Sequence, residues 1–295
     1  MQTTALQYKL IKKIKDERFD EEDIHHYILL INIGTRDLQT AVIDSRDHRV
    51  LLMEDFVLPT LTSYAEQEQI LSGLFDNHAL LRVGFWKQVK IAIKNQKFIQ
   101  VPDALFAEES LADYLRFNAQ VDPDTEVFLN IHNTRTAAMS VFSTNRSMYE
   151  WLVSSYPSKS PVFVHQSAAL IEGILEHATT VGHNPLYIYV DRFKLHIVST
   201  RDGKLVYYNQ FVIKQFSDYV RYIMLVLKSL NMDQRDSQVV LWGYIGKNSP
   251  HYHEFYKYIN NVTFGARPGY LQFGYMFDEI QEHHFFDLFS IYLLD

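Results

Sequence analysis

The chain alternates short apolar runs with compact polar breaks, a rhythm that predicts many strands and few long helices. Ile28-Leu29-Leu30-Ile31-Asn32-Ile33 is an almost uninterrupted apolar run ended by Gly34-Thr35, the pattern of a buried strand. Leu38 to Ile43 makes a second strand, Ser45-Arg46-Asp47-His48 a turn and Arg49 to Leu58 a third, with Pro59 closing the set. Three successive strands joined by short turns form an antiparallel meander. The same order recurs at Leu186 to Asp191, Phe193 to Ser199 and Lys204 to Ile213, the last two joined by Thr200-Arg201-Asp202-Gly203. Ser45-Arg46-Asp47-His48-Arg49-Val50 can be laid on Thr200-Arg201-Asp202-Gly203-Lys204-Leu205. Both third strands finish on Phe-Val-aliphatic, at Phe56-Val57-Leu58 and Phe211-Val212-Ile213. This repetition predicts an internal duplication.

Between the meanders the pattern predicts strands at Val89 to Ile93, Val127 to Ile131 and Ala137 to Phe142, with helices over Glu108 to Phe117 and Met148 to Ser155. A strand at Val162 to His165 runs directly into a helix at Ala168 to His177. After the second meander, Phe216, Tyr219, Ile223, Val226 and Leu230 keep the three-four spacing of one buried helical face, predicting a helix over Phe216 to Leu230. Gln238 to Trp242 is a short strand ending in Gly243, Pro250 to Tyr258 a helix and Asn261 to Phe264 a last strand. The break at Gly182-His183-Asn184-Pro185 divides a lobe over 1–182, with an inserted subdomain at about 83–145, from a lobe over 183–295.

Composition narrows the classes. At 295 residues the chain exceeds what one core usually fills and has room for two lobes. A net charge of −7 gives no general attraction to nucleic acid or an anionic membrane, so neither is an expected partner. The basic run Lys9 to Lys15, interleaved with Leu10, Ile11 and Ile14, reads as one solvated helix face. The absence of cysteine removes disulfides, thiolate catalysis and cysteine-ligated metals together. Met1 to Asp20 carries no apolar h-region, and no apolar run approaches the ~20 residues of a membrane span. A soluble protein of the reducing cytoplasm is the expectation.

A meander, an inserted subdomain, a strand-to-helix crossing, a second meander, a helix and a strand ending in glycine make one known plan. From about Tyr27 onward it resembles the α/β fold of the actin, Hsp70 and sugar-kinase superfamily, the actin-like ATPase or ribonuclease-H-like duplicated fold, and within it the PilM and FtsA branch. The whole sequence is also similar to a bacterial family of proteins of unknown function assigned that fold, a likeness that carries no activity. The superfamily resemblance implies an ATP–Mg²⁺ cleft built from four motifs. The first phosphate hairpin would be Ile31-Asn32-Ile33-Gly34-Thr35-Arg36, with Asn32 where the family has the aspartate that holds hydrated Mg²⁺, while Gly34, Thr35 and Arg36 keep the shape. The second would be Asp191-Arg192-Phe193-Lys194-Leu195, with Phe193 at a glycine position. If Asp191 aligns with Asn32, this hairpin is four residues shorter than the first. The crossing motif resembles His165-Gln166-Ser167-Ala168-Ala169, with His165 in place of the acid that positions the attacking water. The adenosine motif resembles Leu241-Trp242-Gly243-Tyr244-Ile245-Gly246.

Each motif keeps its structural half and loses its chemical half. The resemblance therefore implies a non-catalytic protein with no required cofactor, acting through an unidentified protein partner. The alternative is a nucleotide-binding switch in which ATP and Mg²⁺ still bind, at Asn32, Gly34, Thr35, Arg36, Asp191, Gly243 and Gly246, with slow or no hydrolysis. A small-molecule kinase would need an aspartate base in the first lobe, and none is assigned. His251-Tyr252-His253-Glu254 and Glu282-His283-His284 hold zinc-type residues without the His-Glu-x-x-His spacing, so no metal site is expected. His25-His26 reads as the lead into the first strand. Ser167 beside His165 lacks a nucleophile elbow and reads as packing. The aromatics from Tyr252 to Phe277 are expected to be mostly core, with some available for a protein surface.

Overall fold

The computed structural model describes residues 8–179, 185–215 and 217–295. The first half holds β1 (Lys9–Lys15), β2 (Tyr27–Ile33), β3 (Asp37–Asp44), β4 (Arg49–Val57), α1 (Tyr64–Asn77) and β5 (Gln88–Ile93). Next come β6 (Phe98–Pro102), α2 (Leu111–Arg116), β7 (Glu126–Asn133), β8 (Ala138–Asn145) and α3 (Arg146–Ser154), then β9 (Val162–His165) running into α4 (Gln166–Ala178). The second half holds β10 (Leu186–Val190), β11 (Lys194–Arg201), β12 (Lys204–Val212), α5 (Ser217–Ser229), β13 (Gln238–Gly243), α6 (Pro250–Tyr256), β14 (Asn261–Phe264), β15 (Gln272–Phe273) and α7 (Phe286–Ser290). Phe216 and 182–184, on which the predicted helix start and lobe boundary fall, lie outside the described residues.

These strands make three sheets. The first runs β1-β4-β3-β2-β5-β9, with β15 against the start of β4; the second runs β12-β11-β10-β13-β14; the third is β6-β8-β7. β2 is buried at every position because β3 and β5 flank it in the sheet and α7 packs against it, which explains its unbroken apolar run. α4 touches strands of both large sheets and is buried over nearly its whole length. Gly173 lets it approach α7, since a Cβ there would collide with Ser290. The final segment leaves the second sheet and returns to the first: Phe285, Leu288, Phe289, Ile291 and Leu294 join the core beneath β2 and β5. Buried Lys90 of β5 donates to the carbonyl oxygens of Tyr292 (2.9 Å) and Leu294 (2.6 Å).

Two readings need correction. Lys9–Lys15 is an edge strand paired antiparallel with β4, not a helix face. Strand alternation suits KLIKKIK as well as a helical stripe does, and the open edge of β4 decides between them. The second correction concerns the hairpin alignment. Gly34 N–H donates to Asp37 C=O and Asp191 N–H to Lys194 C=O, both at 2.9 Å, so the two hairpin turns have the same length. Ile33 therefore matches Val190, Gly34 matches Asp191, and Asp37 matches Lys194 at one constant spacing. The alignment of Asp191 with Asn32 is two residues out of register. Each meander also has an irregularity at the matching place, between Val42 and Ile43 and between Ser199 and Thr200.

Candidate functional site

The parallel strands β2 and β5 of one sheet and β10 and β13 of the other end at a shared cleft. Ligands in open α/β sheets gather at such carboxyl ends. Here the space holds protein side chains, centred on Lys94. That lysine follows β5 directly, and its N–H donates to Ile33 C=O at 2.8 Å. Its Nζ donates to Asp37 Oδ2 (2.9 Å) and Gln39 Oε1 (3.2 Å) and lies 3.6 Å from both Asp191 and Asp287 carboxylates. All four charged groups are buried.

Asp287 arrives from α7, after a left-handed turn at Phe285 (φ 59°). Its carboxylate accepts from Asn32 Nδ2 and Gln166 Nε2, both at 2.8 Å, and from the Tyr189 hydroxyl. A carboxylate thus stands beside Asn32 although the motif has lost its own. Asp191 Oδ2 accepts from Gln166 Nε2 (2.9 Å), and Oδ1 from the Arg192 N–H (2.8 Å).

Burial disfavours the Lys94 charge, but Asp191, Asp37 and Asp287 hold its pKa well above the ordinary lysine range. Burial also works against the Asp191 anion, and Lys94 with Lys194 outweighs it, holding that carboxyl below its usual range. One ammonium cannot match three carboxylates equally, and burial drives Asp37 toward its neutral form despite Lys94. Lys194 lies at the same end of the cleft, and burial pushes it down to about 8 against the pull of Asp191.

A second knot ties the two large sheets together beside the first. Arg192 pairs with Asp55 at 2.5 Å and stacks 4.7 Å over the Tyr244 ring, whose hydroxyl also meets Gln39. Burial lifts Asp55 to about 6 even against Arg192. At the mouth, Arg36 lies 4.4 Å over the ring of Phe193, so the two hairpin tips touch. Thr35 lines a cavity of about 50 Å³ with Gly34, Gln67, Lys94 and Asn95.

The predicted glycines have different duties. Gly243 has φ 91°, and a Cβ there would collide with the Val190 carbonyl oxygen, so it is required by close strand packing. A Cβ on Gly246 would meet nothing within 4 Å. Gly246, Lys247 and His284 border an open depression of about 610 Å³. The structure therefore brings Asn32, Gly34 and Asp191 to the cleft centre, places Thr35 and Arg36 at its mouth, and sets Gly243 and Gly246 on its far side.

His165 caps α4. Its Nδ1 accepts from the Ser167 N–H (3.1 Å), and its Nε2 lies 3.2 Å from Asn95 Oδ1. Burial holds it neutral, well below its usual pKa, and it stacks on Phe98. With both ring nitrogens engaged it offers no free base. Ser167 Oγ accepts from Tyr208 rather than facing His165. His283 Nε2 lies 2.5 Å from Ile245 C=O. Among the described residues, Asp23, His25 and His26 group three metal-ligand atoms, but Asp23 is already held by Arg46 at 2.8 Å.

Lys94, Asp37, Gln39, Asp55 and Asp287 were not singled out in the sequence. Lys94 carried a local signal: a lysine directly at the carboxyl end of a buried strand. The others are joined only by long-range folding.

With the cleft described, its relatives can be placed. The profile of the DUF3822 family, proteins of unknown function, matches residues 16–262. The chain belongs to that family. The fold of this DUF3822 chain is similar to a Bacteroides thetaiotaomicron protein described as having an actin-like ATPase fold and unknown function, with 22% identity, TM-score 0.75, and coverage of 84% of this chain and 93% of that one. It is also similar to a chain of the PilM–PilN type IV pilus biogenesis complex, at 13% identity and TM-score 0.58, covering 90% and 97%. The fold is thus the actin-like ATPase fold, as the motifs implied. No curated protein matches the chain. Among the described residues no helix is long and apolar enough to cross a membrane.

Proposed function

We propose that this DUF3822 protein is a non-catalytic actin-like protein that works in the cytoplasm by binding a protein partner, its cleft held shut by its own side chains. The carrying observation is the position of Lys94 Nζ, set among Asp37, Asp191 and Asp287. In this fold a metal ion and nucleotide phosphates would occupy that place. A tethered ammonium does the neutralising instead, and Asn32 presents an amide to Asp287 rather than a carboxylate to Mg²⁺.

The residues present do not fit a magnesium nucleotide. The 50 Å³ beside Thr35 is far below the ~300 Å³ of small-molecule pockets, and Arg36 and Phe193 close the mouth. His165 has no lone pair to activate water. The likeness to PilM, recorded with PilN, supports a partner-binding role for the fold. The division at 182/183 into two lobes, with the inserted subdomain at about 83–145, is proposed on the same footing.

One observation favours the nucleotide switch: the 610 Å³ depression at Gly246, open on the adenosine side. Calorimetric titration with ATP, ADP and AMP-PNP, each with Mg²⁺, separates the readings. No heat of binding at millimolar nucleotide is the expected result. Binding, or ATP hydrolysis removed by Lys94→Ala or Asp191→Ala, overturns the proposal.

A further inference from the structure

The edges of the sheets are guarded unequally. A free strand edge offers unpaired N–H and C=O groups, and proteins protect it with charge, proline or brevity. β1, the outer strand of the first sheet, carries Lys9, Lys12, Lys13 and Lys15. The edge strands β9 and β14 are four residues each. β12 has none of these protections. It is nine residues long, its only charged side chain is Lys204 at its first position, and Val206 and Val212 are exposed. Among the described residues no strand pairs with its outer edge.

Beside β12 runs a groove of about 550 Å³, whose other wall is β6, itself an edge strand of the third sheet. Phe98 of β6 and Tyr208 of β12 meet edge to face at 5.6 Å and tie the two walls. No acidic or basic side chain lines the groove; its polar side chains are neutral amides, including Gln100, Asn118 and Asn209, and the tyrosines Tyr207 and Tyr208. Gln210, also in the lining, keeps its side-chain oxygen buried and without a hydrogen-bond partner. An unmet buried acceptor costs stability unless a donor arrives.

We infer that the β12 edge is a docking strand for an extended, uncharged peptide segment of a partner protein, which adds to the second sheet and fills the groove against β6. Alternate residues of an antiparallel edge point N–H and C=O outward, so such a segment gains main-chain hydrogen bonds with period two. At ~3.3 Å per residue, the five-residue wall of β6 accommodates a segment of about five residues. The absence of charge disfavours an acidic or basic ligand and suits peptide amides and small apolar side chains. The inference rests on the partner-binding reading and specifies its chemistry.

The test selects binders to the full chain from displayed random linear twelve-residue peptides, then measures the best synthetic peptide by fluorescence anisotropy and amide hydrogen exchange. The expected peptide is poor in charge, binds at micromolar concentration and slows exchange in 204–212 and 98–102. N-methylation of its alternate residues should weaken binding at least tenfold in one phase and leave the other phase unchanged. Val206→Lys and Asn209→Lys, both at exposed positions, should weaken it similarly without altering the melting temperature. Absence of any binder, protection confined to another surface such as 9–15, or indifference to N-methylation would overturn the inference. So would self-association that protects 204–212 without peptide, which would make the occupant a second copy. Nucleotide titration of the same preparation reports separately: ATP binding would sink the shut-cleft reading and leave a peptide bound at β12 intact.

Discussion

Replacing Lys94 by methionine tests the cleft most directly, because the substitution keeps nearly the same length and removes only the charge. It leaves Asp37, Asp191 and Asp287 buried without the ammonium that lies 2.9, 3.6 and 3.6 Å from them. Removing one partner of a buried ion pair typically costs about 3–5 kcal/mol. At roughly 2–4 °C per kcal/mol for large domains, the melting temperature should fall by on the order of 10 °C at pH 7.5. The pH dependence carries the sharper signature. Without Lys94, burial and mutual repulsion raise the folded-state pKa values of Asp37 and Asp191 above the unfolded ~3.9. Groups raised in this way give stability below the unfolded value that is lost as pH rises, so the deficit should shrink toward pH 5 and widen toward pH 8. The assay is thermal unfolding of both proteins by circular dichroism from pH 5 to 8, with and without 10 mM MgCl₂ as an about physiological-excess cation. Magnesium should recover part of the loss in the variant and none in the parent. A variant that melts within about 2 °C of the parent at every pH would refute the counter-ion argument.

Asn32→Asp places a second carboxylate within hydrogen-bond reach of Asp287; it should cost roughly 2 kcal/mol or more at pH 7.5, recover toward pH 5, and confer no ATP hydrolysis in a phosphate-release assay. Gly243→Ala should cost at least about 2 kcal/mol in urea unfolding, from positive φ and the Val190 collision, whereas Gly246→Ala should change stability by less than about 0.5 kcal/mol. Lys194, lowered to about 8 by burial, gives stability present at high pH and lost as pH falls through that value. Lys194→Met should therefore gain on the parent as pH falls from 9 to 7, by roughly 1.3 kcal/mol, as read from denaturant midpoints.

Much of the fold was legible because buried strands write themselves as apolar runs. β9 and β14 fall on the predicted residues, and β2, β10 and β13 lie within a residue of them. Helices closed by a local cap were partly readable: Asn145 caps α3 and His165 caps α4, which begins two residues earlier than predicted. Ser63 caps α1, yet that helix was missed, since its polar-rich sequence YAEQEQILSGLFDN shows only a narrow apolar stripe. β1 was misread because a free edge on a distant strand, not its own pattern, fixed its conformation. In the cleft, the motif remnants led to Asn32, Gly34 and Asp191. They could not lead to Asp287, because its short helix is set by packing against α4 and β2 and carries no family motif. The hairpin register was misjudged for a related reason: turn closure depends on which N–H meets which C=O, and residue spelling around Asp191 does not reveal that.

The tethered cation Lys94 has a consequence for how such a protein can be controlled. A clamp closed by a diffusible ligand reports the concentration of that ligand, because the closed fraction follows occupancy. When the closing charge belongs to the chain, its effective concentration is fixed at synthesis and no metabolite dilutes it. Under the proposed reading, the closed arrangement becomes a standing property, indifferent to the energy state of the cell. Any signal it passes must then come from how much of the protein is made, or from what arrives at its surface.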